Sequence, residues 1–147
     1  MKEFYCNEVF VKMHRTRKPT NKGLSALELY KFANKMYDDD DITTQEYAYV
    51  ILMDNSKNII GFSRVGQGGI TATCVDIRIV VRIALVQGAT CIAFVHNHPS
   101  GSLTPSRLDD ELTKRLKDAC ELMQIHFVDH LILTEDNYYS YFDQCKL

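Results

Sequence analysis

Runs of β-branched, aromatic and aliphatic residues predict the strands of this chain. Residues 46–54 and 58–66 are two such runs, and the polar segment DNSKN between them is typical of a β-hairpin. The run CIAFV at 91–95 is short, apolar and uncharged, which indicates a central strand buried on both faces. Further strands are predicted at 5–14, 125–134 and 137–142.

Apolar residues at helical spacing predict three helices. The first covers 24–37, and we expect the acidic run Asp38–Asp41 to end it as a solvated turn. The second, 75–89, is rich in β-branched residues that also suit a strand. We interpret it as a helix, because its apolar residues share a helical face and its final Gln-Gly suits a helix end. The third, 105–123, has a clear apolar stripe, with Thr104 as its expected N-cap.

The predicted strands and helices alternate, which indicates an α/β sandwich with a mixed β-sheet. A length of 147 residues favours a single domain over 1–147. Residues 1–43 are expected to add a strand, a basic loop (HRTRKPTNKG) and a helix to it. Hydrophobic residues make up 46% of the chain and charged residues 24%, which excludes a disordered protein.

Charge and cysteine content narrow the class of protein further. A net charge of −2 gives no support to a general nucleic-acid binder. The five cysteines form no CxxC pair, which argues against a disulfide framework or a cysteine-rich zinc site and fits a reducing compartment. We find neither a secretory signal nor an apolar run near the ~18 residues that a membrane span needs. We therefore expect a cytoplasmic protein.

The side chains with the most chemistry follow the predicted central strand. His96 and His98 are two residues apart, so both imidazoles point to one side of an extended segment. Ser106 and Asp109 are three residues apart at the start of the third helix, so they share a helical face. If the intervening loop folds back, two imidazoles meet one carboxylate. These are a common ligand set for catalytic zinc, with water as the fourth ligand.

A hydrolytic zinc site also needs a proton acceptor and a hydrogen-bond donor for the oxyanion. The metal lowers the pKa of its water to about 7, and the Ser106 hydroxyl is the candidate donor. Glu46 is the candidate acceptor, because a lone acid is unexpected at the start of the apolar strand 46–54. Acids also flank strands simply as solvated ends, and the spacing alone leaves both interpretations open.

Structural roles compete with a metal-binding role for each histidine. A single histidine beside a strand is more often structural. Packing requirements alone rarely explain two histidines at this spacing that are followed by Ser and Asp. His14 is expected to be a solvated surface residue. His126 and His130 are expected to make core or supporting hydrogen bonds.

The residues from His96 to Asp109 resemble the signature of the JAB/MPN metalloprotease-like domains, also called JAMM. That signature is H-x-H, seven residues, then S-x-x-D, and the fuller text HNHPSGSLTPSRLD is similar to the RadC-like branch. The similarity covers roughly residues 44–142. It includes VDIR and AL within 75–85, DHLIL at 129–133 and YYS at 138–140.

The resemblance implies a JAB/MPN-type α/β/α sandwich related in architecture to the cytidine deaminases. It implies a zinc ion held by His96, His98 and Asp109, with Ser106 as the donor on the oxyanion side. The upstream catalytic glutamate of the family corresponds to Glu46. The implied activity is hydrolysis of an amide bond in a peptide or isopeptide.

This chain departs from the RadC-like branch in two places. Residues 1–43 are too short, and lack the paired glycine hairpins, for the DNA-binding helix-hairpin-helix region common in that branch. Ile79 stands where the branch often has a glutamate. The alternative to a hydrolase is a DNA-repair or mobile-element-associated factor that acts as a binding module without proteolysis. Nucleic acid is not expected as a strong direct ligand, whereas an oligomer could form through the strand edge at 137–142.

Overall fold

The computed structural model describes Val9, residues 21–68 and residues 74–147. The helices in these ranges are α1 (Ala26–Ala33), α2 (Asp39–Thr44), α3 (Ile77–Gln87) and α4 (Arg107–Leu122), and a 3-10 turn follows α1 at Asn34–Met36. The strands are β1 (Tyr47–Met53), β2 (Ile59–Gln67), β3 (Cys91–Asn97), β4 (His126–Leu133) and β5 (Tyr138–Ser140). The strand predicted at 5–14 and most of the basic loop lie outside the described residues.

The described strands form one mixed sheet in the order β2-β1-β3-β4-β5. Only β3 and β4 run parallel, and the other neighbours are antiparallel. The pairing of β1 with β2 confirms the predicted hairpin and contains two register shifts, whereas the pairing of β1 with β3 is regular from Ala48 to Met53. None of the described helices combines the length and apolarity that a membrane crossing requires.

Alternate residues of the central strands face two separate apolar cores, which confirms the predicted α/β/α sandwich. In β3, Ala93 and Val95 belong to the core beneath α1 and α2, whereas Ile92 and Phe94 belong to the core beneath α3 and α4. This two-residue alternation follows from the pleat of a β-strand. By the same alternation, His96 faces the side of α3 and α4.

The ambiguous segment after residue 74 is helical, as predicted. Asp76 caps α3 by accepting a hydrogen bond from the backbone N–H of Arg78 at 2.9 Å. Gly88 ends the helix with a φ of 71°, a left-handed conformation that glycine adopts without steric cost. Val80 and Ala84 are buried against the sheet, and Ile79 packs at the edge of the same core.

The acidic run Asp38–Asp41 is not a solvated turn, so that expectation is wrong. It provides the N-cap position and first turn of α2, where carboxylates are stabilised by the exposed N–H groups of the helix N-terminus. Ile42 on the same helix is buried in the core beneath α1. The side chains of Asp38, Asp39 and Asp40 are exposed to solvent, whereas Ile42 packs into the core.

Asn97, the last residue of β3, connects this strand to the segment that enters β1. Its amide nitrogen donates to the carbonyl oxygens of Ile42 at 2.9 Å and Gln45 at 2.8 Å. Its side-chain oxygen accepts a hydrogen bond from the backbone N–H of Tyr47 at 2.7 Å. The backbone on both sides of Glu46 is therefore fixed by one completely buried side chain.

We expect Asn97→Ala to lower the free energy of unfolding by about 3 kcal/mol or more. The substitution leaves two buried backbone groups and one partly buried group without their partner, and each buried group costs about 1–3 kcal/mol. Urea denaturation followed by circular dichroism measures the loss. Asn55→Ala, in the exposed turn between β1 and β2, is the control and should change stability by less than about 0.5 kcal/mol. Equal stabilities for the two variants would contradict this role of Asn97.

Candidate metal centre

Two elements that meet at one end of the sheet supply the predicted ligand residues. His96 lies near the end of β3, paired with Ala48 of β1 and Ile132 of β4, and is almost fully buried. His98 follows the strand, and its backbone N–H donates to the carbonyl of Leu133 at 2.9 Å. Asp109 is in the first turn of α4.

The side chains of His96, His98 and Asp109 converge on one point, as their spacing predicts. The two Nε2 atoms are 3.0 Å apart. Oδ1 of Asp109 lies 3.1 Å from Nε2 of His96, and Oδ2 lies 3.2 Å from Nε2 of His98. The potential ligand atoms all lie within 4.8 Å of one another, so these three side chains could hold one metal ion.

A capping box fixes Asp109 at the start of α4. The Ser106 hydroxyl accepts a hydrogen bond from the backbone N–H of Asp109 at 3.1 Å, and Oδ2 of Asp109 accepts one from the backbone N–H of Ser106 at 2.7 Å. Ser106 is thus the N-cap, and the expected cap at Thr104 is wrong. The reciprocal pair satisfies two N–H groups that would otherwise have no partner, so the helix begins at Arg107.

The electrostatics of the three side chains favour bound positive charge. Burial acts to raise the pKa of Asp109, but hydrogen bonds from His96 and His98 outweigh it and hold that pKa far below its usual range. The hydrogen bond to Asp109 raises the pKa of His98, against the opposing effect of burial. The carboxylate is therefore ionised and favours positive charge beside it.

His98 has its ring orientation set by a backbone carbonyl. Its Nδ1 lies 2.8 Å from the carbonyl oxygen of Ser102. A carbonyl oxygen only accepts hydrogen bonds, so Nδ1 carries a hydrogen. In the neutral ring Nε2 then has a lone pair directed toward the other two side chains, where a metal ion would take the place of the proton shared with Asp109.

His96 is supported by His130, which confirms the expected supporting role of that residue. Nδ1 of His96 lies 2.8 Å from Nε2 of His130, and Nδ1 of His130 lies 2.6 Å from the hydroxyl oxygen of Thr113. His130 is completely buried, and burial holds its pKa well below the usual value. Its ring stacks on Tyr141 with centroids 4.8 Å apart.

Thr113 is a contributor that the sequence reasoning missed. Its hydroxyl donates to the carbonyl oxygen of Asp109 at 2.7 Å, four residues earlier on α4. A search of the helical face of Asp109 for further polar residues would have found it. His126, in contrast, is an exposed residue at the other end of β4, near Nζ of Lys57, so its expected core or supporting role is wrong.

A cleft of about 880 Å³ lies over the three side chains, and both further candidates line it. Ser106 borders it beside Asp109. Extending the β1–β3 register beyond the Ala48–His96 pair places Glu46 opposite His98, on the same face of the sheet. The loop PSGSLT (99–104), between the two histidines and α4, contributes to the wall.

Comparisons with known proteins identify the family to which this chain is similar. The family model described as RadC-like JAB domain matches residues 24–147. A UPF0758 protein of Flavobacterium johnsoniae is 42% identical over 99 residues, which are 67% of this chain and 43% of the relative. A UPF0758 protein of Streptococcus sanguinis is 39% identical over 117 residues, 80% of this chain and 52% of the relative.

These relatives carry names that state no activity, and the chain spans about half the length of the curated relatives it matches. The family match extends over all the candidate site residues, from Glu46 just before β1 to His130 on β4. The chain therefore belongs to the RadC-like JAB domain family.

Proposed function

We propose that this chain is a zinc-dependent hydrolase of an amide bond, with a peptide or isopeptide as its substrate. The observation that carries the proposal is the convergence of His96, His98 and Asp109 in a cleft that Glu46 also lines. Membership of the RadC-like JAB domain family supports it, since JAB domains include hydrolases.

The donor set of the site fits zinc better than a hard cation. Two imidazole nitrogens and one carboxylate oxygen are typical of catalytic zinc sites with three protein ligands, whereas Mg²⁺ and Ca²⁺ prefer oxygen ligands throughout. His96, His98 and Asp109 would hold the ion. When bound, zinc supplies Lewis acidity, which makes water more acidic and polarises a carbonyl group.

Glu46 is the proton acceptor in this proposal. It is half-buried and lines the cleft, immediately before β1, on the face of the sheet that carries the two histidines. It would take a proton from the attacking water and deliver it to the leaving amine. Because Asn97 fixes the backbone on both sides of Glu46, the carboxylate extends from a rigid main chain.

Ser106 is the proposed donor to the oxyanion that develops on the substrate carbonyl. Its oxygen accepts the capping hydrogen bond from Asp109, so its own hydrogen is left for another acceptor. A hydroxyl held in place by a helix cap needs little reorganisation when charge develops.

The cleft suits part of a chain-like substrate. Its volume of about 880 Å³ lies in the range of small-molecule and peptide sites. Phe94, Leu108 and Leu112 give it apolar walls, and Gln45 and Arg115 lie among its polar positions.

The four cysteines of the described chain are free thiols, which supports a reducing, cytoplasmic setting for this activity.

We expect one zinc ion per chain in native mass spectrometry of the untagged protein. His98→Ala and Asp109→Ala should both lose it, because each removes one of three ligands. His126→Ala is the matched control and should retain zinc, since His126 is exposed and not part of the cluster. A wild-type protein that holds no zinc, even after zinc is offered and the excess removed, would contradict the metal site and favour the binding-module alternative.

We expect Glu46→Gln to reduce kcat/KM for amide hydrolysis by about 10²–10⁴-fold, the usual contribution of a positioned acid–base group. Zinc content and thermal stability should stay at wild-type levels, because the amide is isosteric with the carboxylate. The measurement is cleavage of fluorogenic peptide and isopeptide libraries by the zinc-loaded protein. Glu135→Gln, an exposed glutamate after β4, is the control and should remain fully active. Equal activity of wild type and Glu46→Gln on every cleaved substrate would overturn the role of Glu46.

A further inference from the structure

The hydroxyl of Thr113 has only one orientation that satisfies the backbone beside it. Its oxygen lies 2.7 Å from the carbonyl oxygen of Asp109, and a carbonyl oxygen can only accept. The single hydroxyl hydrogen must therefore lie on this line. If it pointed elsewhere, two oxygen atoms would face each other at 2.7 Å with no hydrogen between them.

This orientation determines where His130 carries its hydrogen. Nδ1 of His130 is 2.6 Å from the Thr113 oxygen, which has only lone pairs left on that side. Nδ1 must therefore be the donor. Burial of the whole ring favours the uncharged imidazole, which carries one ring hydrogen; with that hydrogen on Nδ1, Nε2 is an acceptor.

The same argument determines which ring nitrogen of His96 carries its hydrogen. Nε2 of His130 is 2.8 Å from Nδ1 of His96, and because Nε2 accepts, Nδ1 of His96 donates. In the neutral ring, Nε2 of His96 is then the atom with the free lone pair. It is also the atom that lies 3.0 Å from Nε2 of His98 and 3.1 Å from the Asp109 carboxylate.

We propose that Thr113 and His130 are positioning residues that set the tautomer of His96, so that its Nε2 lone pair is directed at a bound metal ion. The inference rests on the proposed metal site and deepens it. His98 reaches the same tautomer directly from the Ser102 carbonyl, whereas His96 reaches it through two intermediate side chains that end on the Asp109 carbonyl. Two ligand residues, His96 and Asp109, are thereby joined outside the ion by one chain of hydrogen bonds.

The ring of His130 is held in the orientation that this chain requires. Tyr141 stacks on one face with an interplanar angle of 9°, and Phe94 meets the ring edge to face at a centroid distance of 5.0 Å. The hydroxyl of Tyr141 is itself bonded to Asp110 of α4 at 2.8 Å. The packing therefore keeps Nε2 of His130 toward β3 and its Nδ1 toward α4.

The direct test is the histidine ring spectrum of the full chain loaded with zinc. Long-range ¹H–¹⁵N correlation spectra distinguish protonated from unprotonated ring nitrogens. We expect His130 to be protonated at Nδ1 only, and Nδ1 of His96 to be protonated as well. A His130 ring protonated at Nε2, in protein that holds zinc, would overturn this inference and leave the proposed metal site intact. Failure of the wild type to bind zinc would overturn both.

The second test compares Thr113→Val with Thr113→Ser by chelator competition for zinc. The valine has the shape of threonine without a hydroxyl, whereas the serine keeps the hydroxyl. We expect Thr113→Val to weaken zinc binding about tenfold or more, as is usual for lost outer hydrogen bonds, and Thr113→Ser to stay close to wild type. Equal affinities for the valine variant and wild type would contradict the role of Thr113. If the valine variant does not fold, the wild-type ring spectrum decides alone.

Discussion

The two-residue repeat of β3 is the constraint on which the rest of the site depends. It places His96 on the face of α3 and α4, and Asn97 on the face of α1 and α2. His96 therefore meets the carboxylate from α4, while Asn97 bonds the backbone that enters β1. A proposed ligand residue and the residue that fixes the proposed proton acceptor are thus adjacent in sequence and point in opposite directions.

The carboxylate of Asp109 both caps the start of α4 and joins the cluster with the two histidines. Its carboxylate completes the capping box of α4 through the backbone N–H of Ser106 and also contacts both histidines. Burial of a lone carboxylate is unfavourable, but here the partners that lower its pKa are the two imidazoles. The start of α4 and the cluster of His96, His98 and Asp109 therefore stabilise each other.

The sequence predicts those parts of the site that depend on local spacing. His96 and His98 follow from the period of a strand, and Ser106 and Asp109 from the period of a helix. Asn97 could not be assigned a role in this way, because its partners lie 50 to 55 residues earlier in the chain. Thr113 combines a local bond to Asp109 with a distant one to His130, and only the local bond has a sequence signal. The short helix α2 was not predicted, because a run of four acidic residues resembles a solvated turn. The helix is stabilised by burial of Ile42, which depends on tertiary packing.

The pairing of β1 with β2 is irregular and its pairing with β3 is regular. This difference determines where the fold tolerates insertions and deletions. The β1–β2 ladder already contains two register shifts, so inserted or deleted residues there can be absorbed by the hairpin. The β1–β3 ladder is regular, and a slip of two residues along it would displace Glu46 from the histidines by about 7 Å while every strand remained paired. Descendants of this sequence can therefore vary in length on the β2 side, whereas the β3 side must keep its residue count to keep the two halves of the site in register.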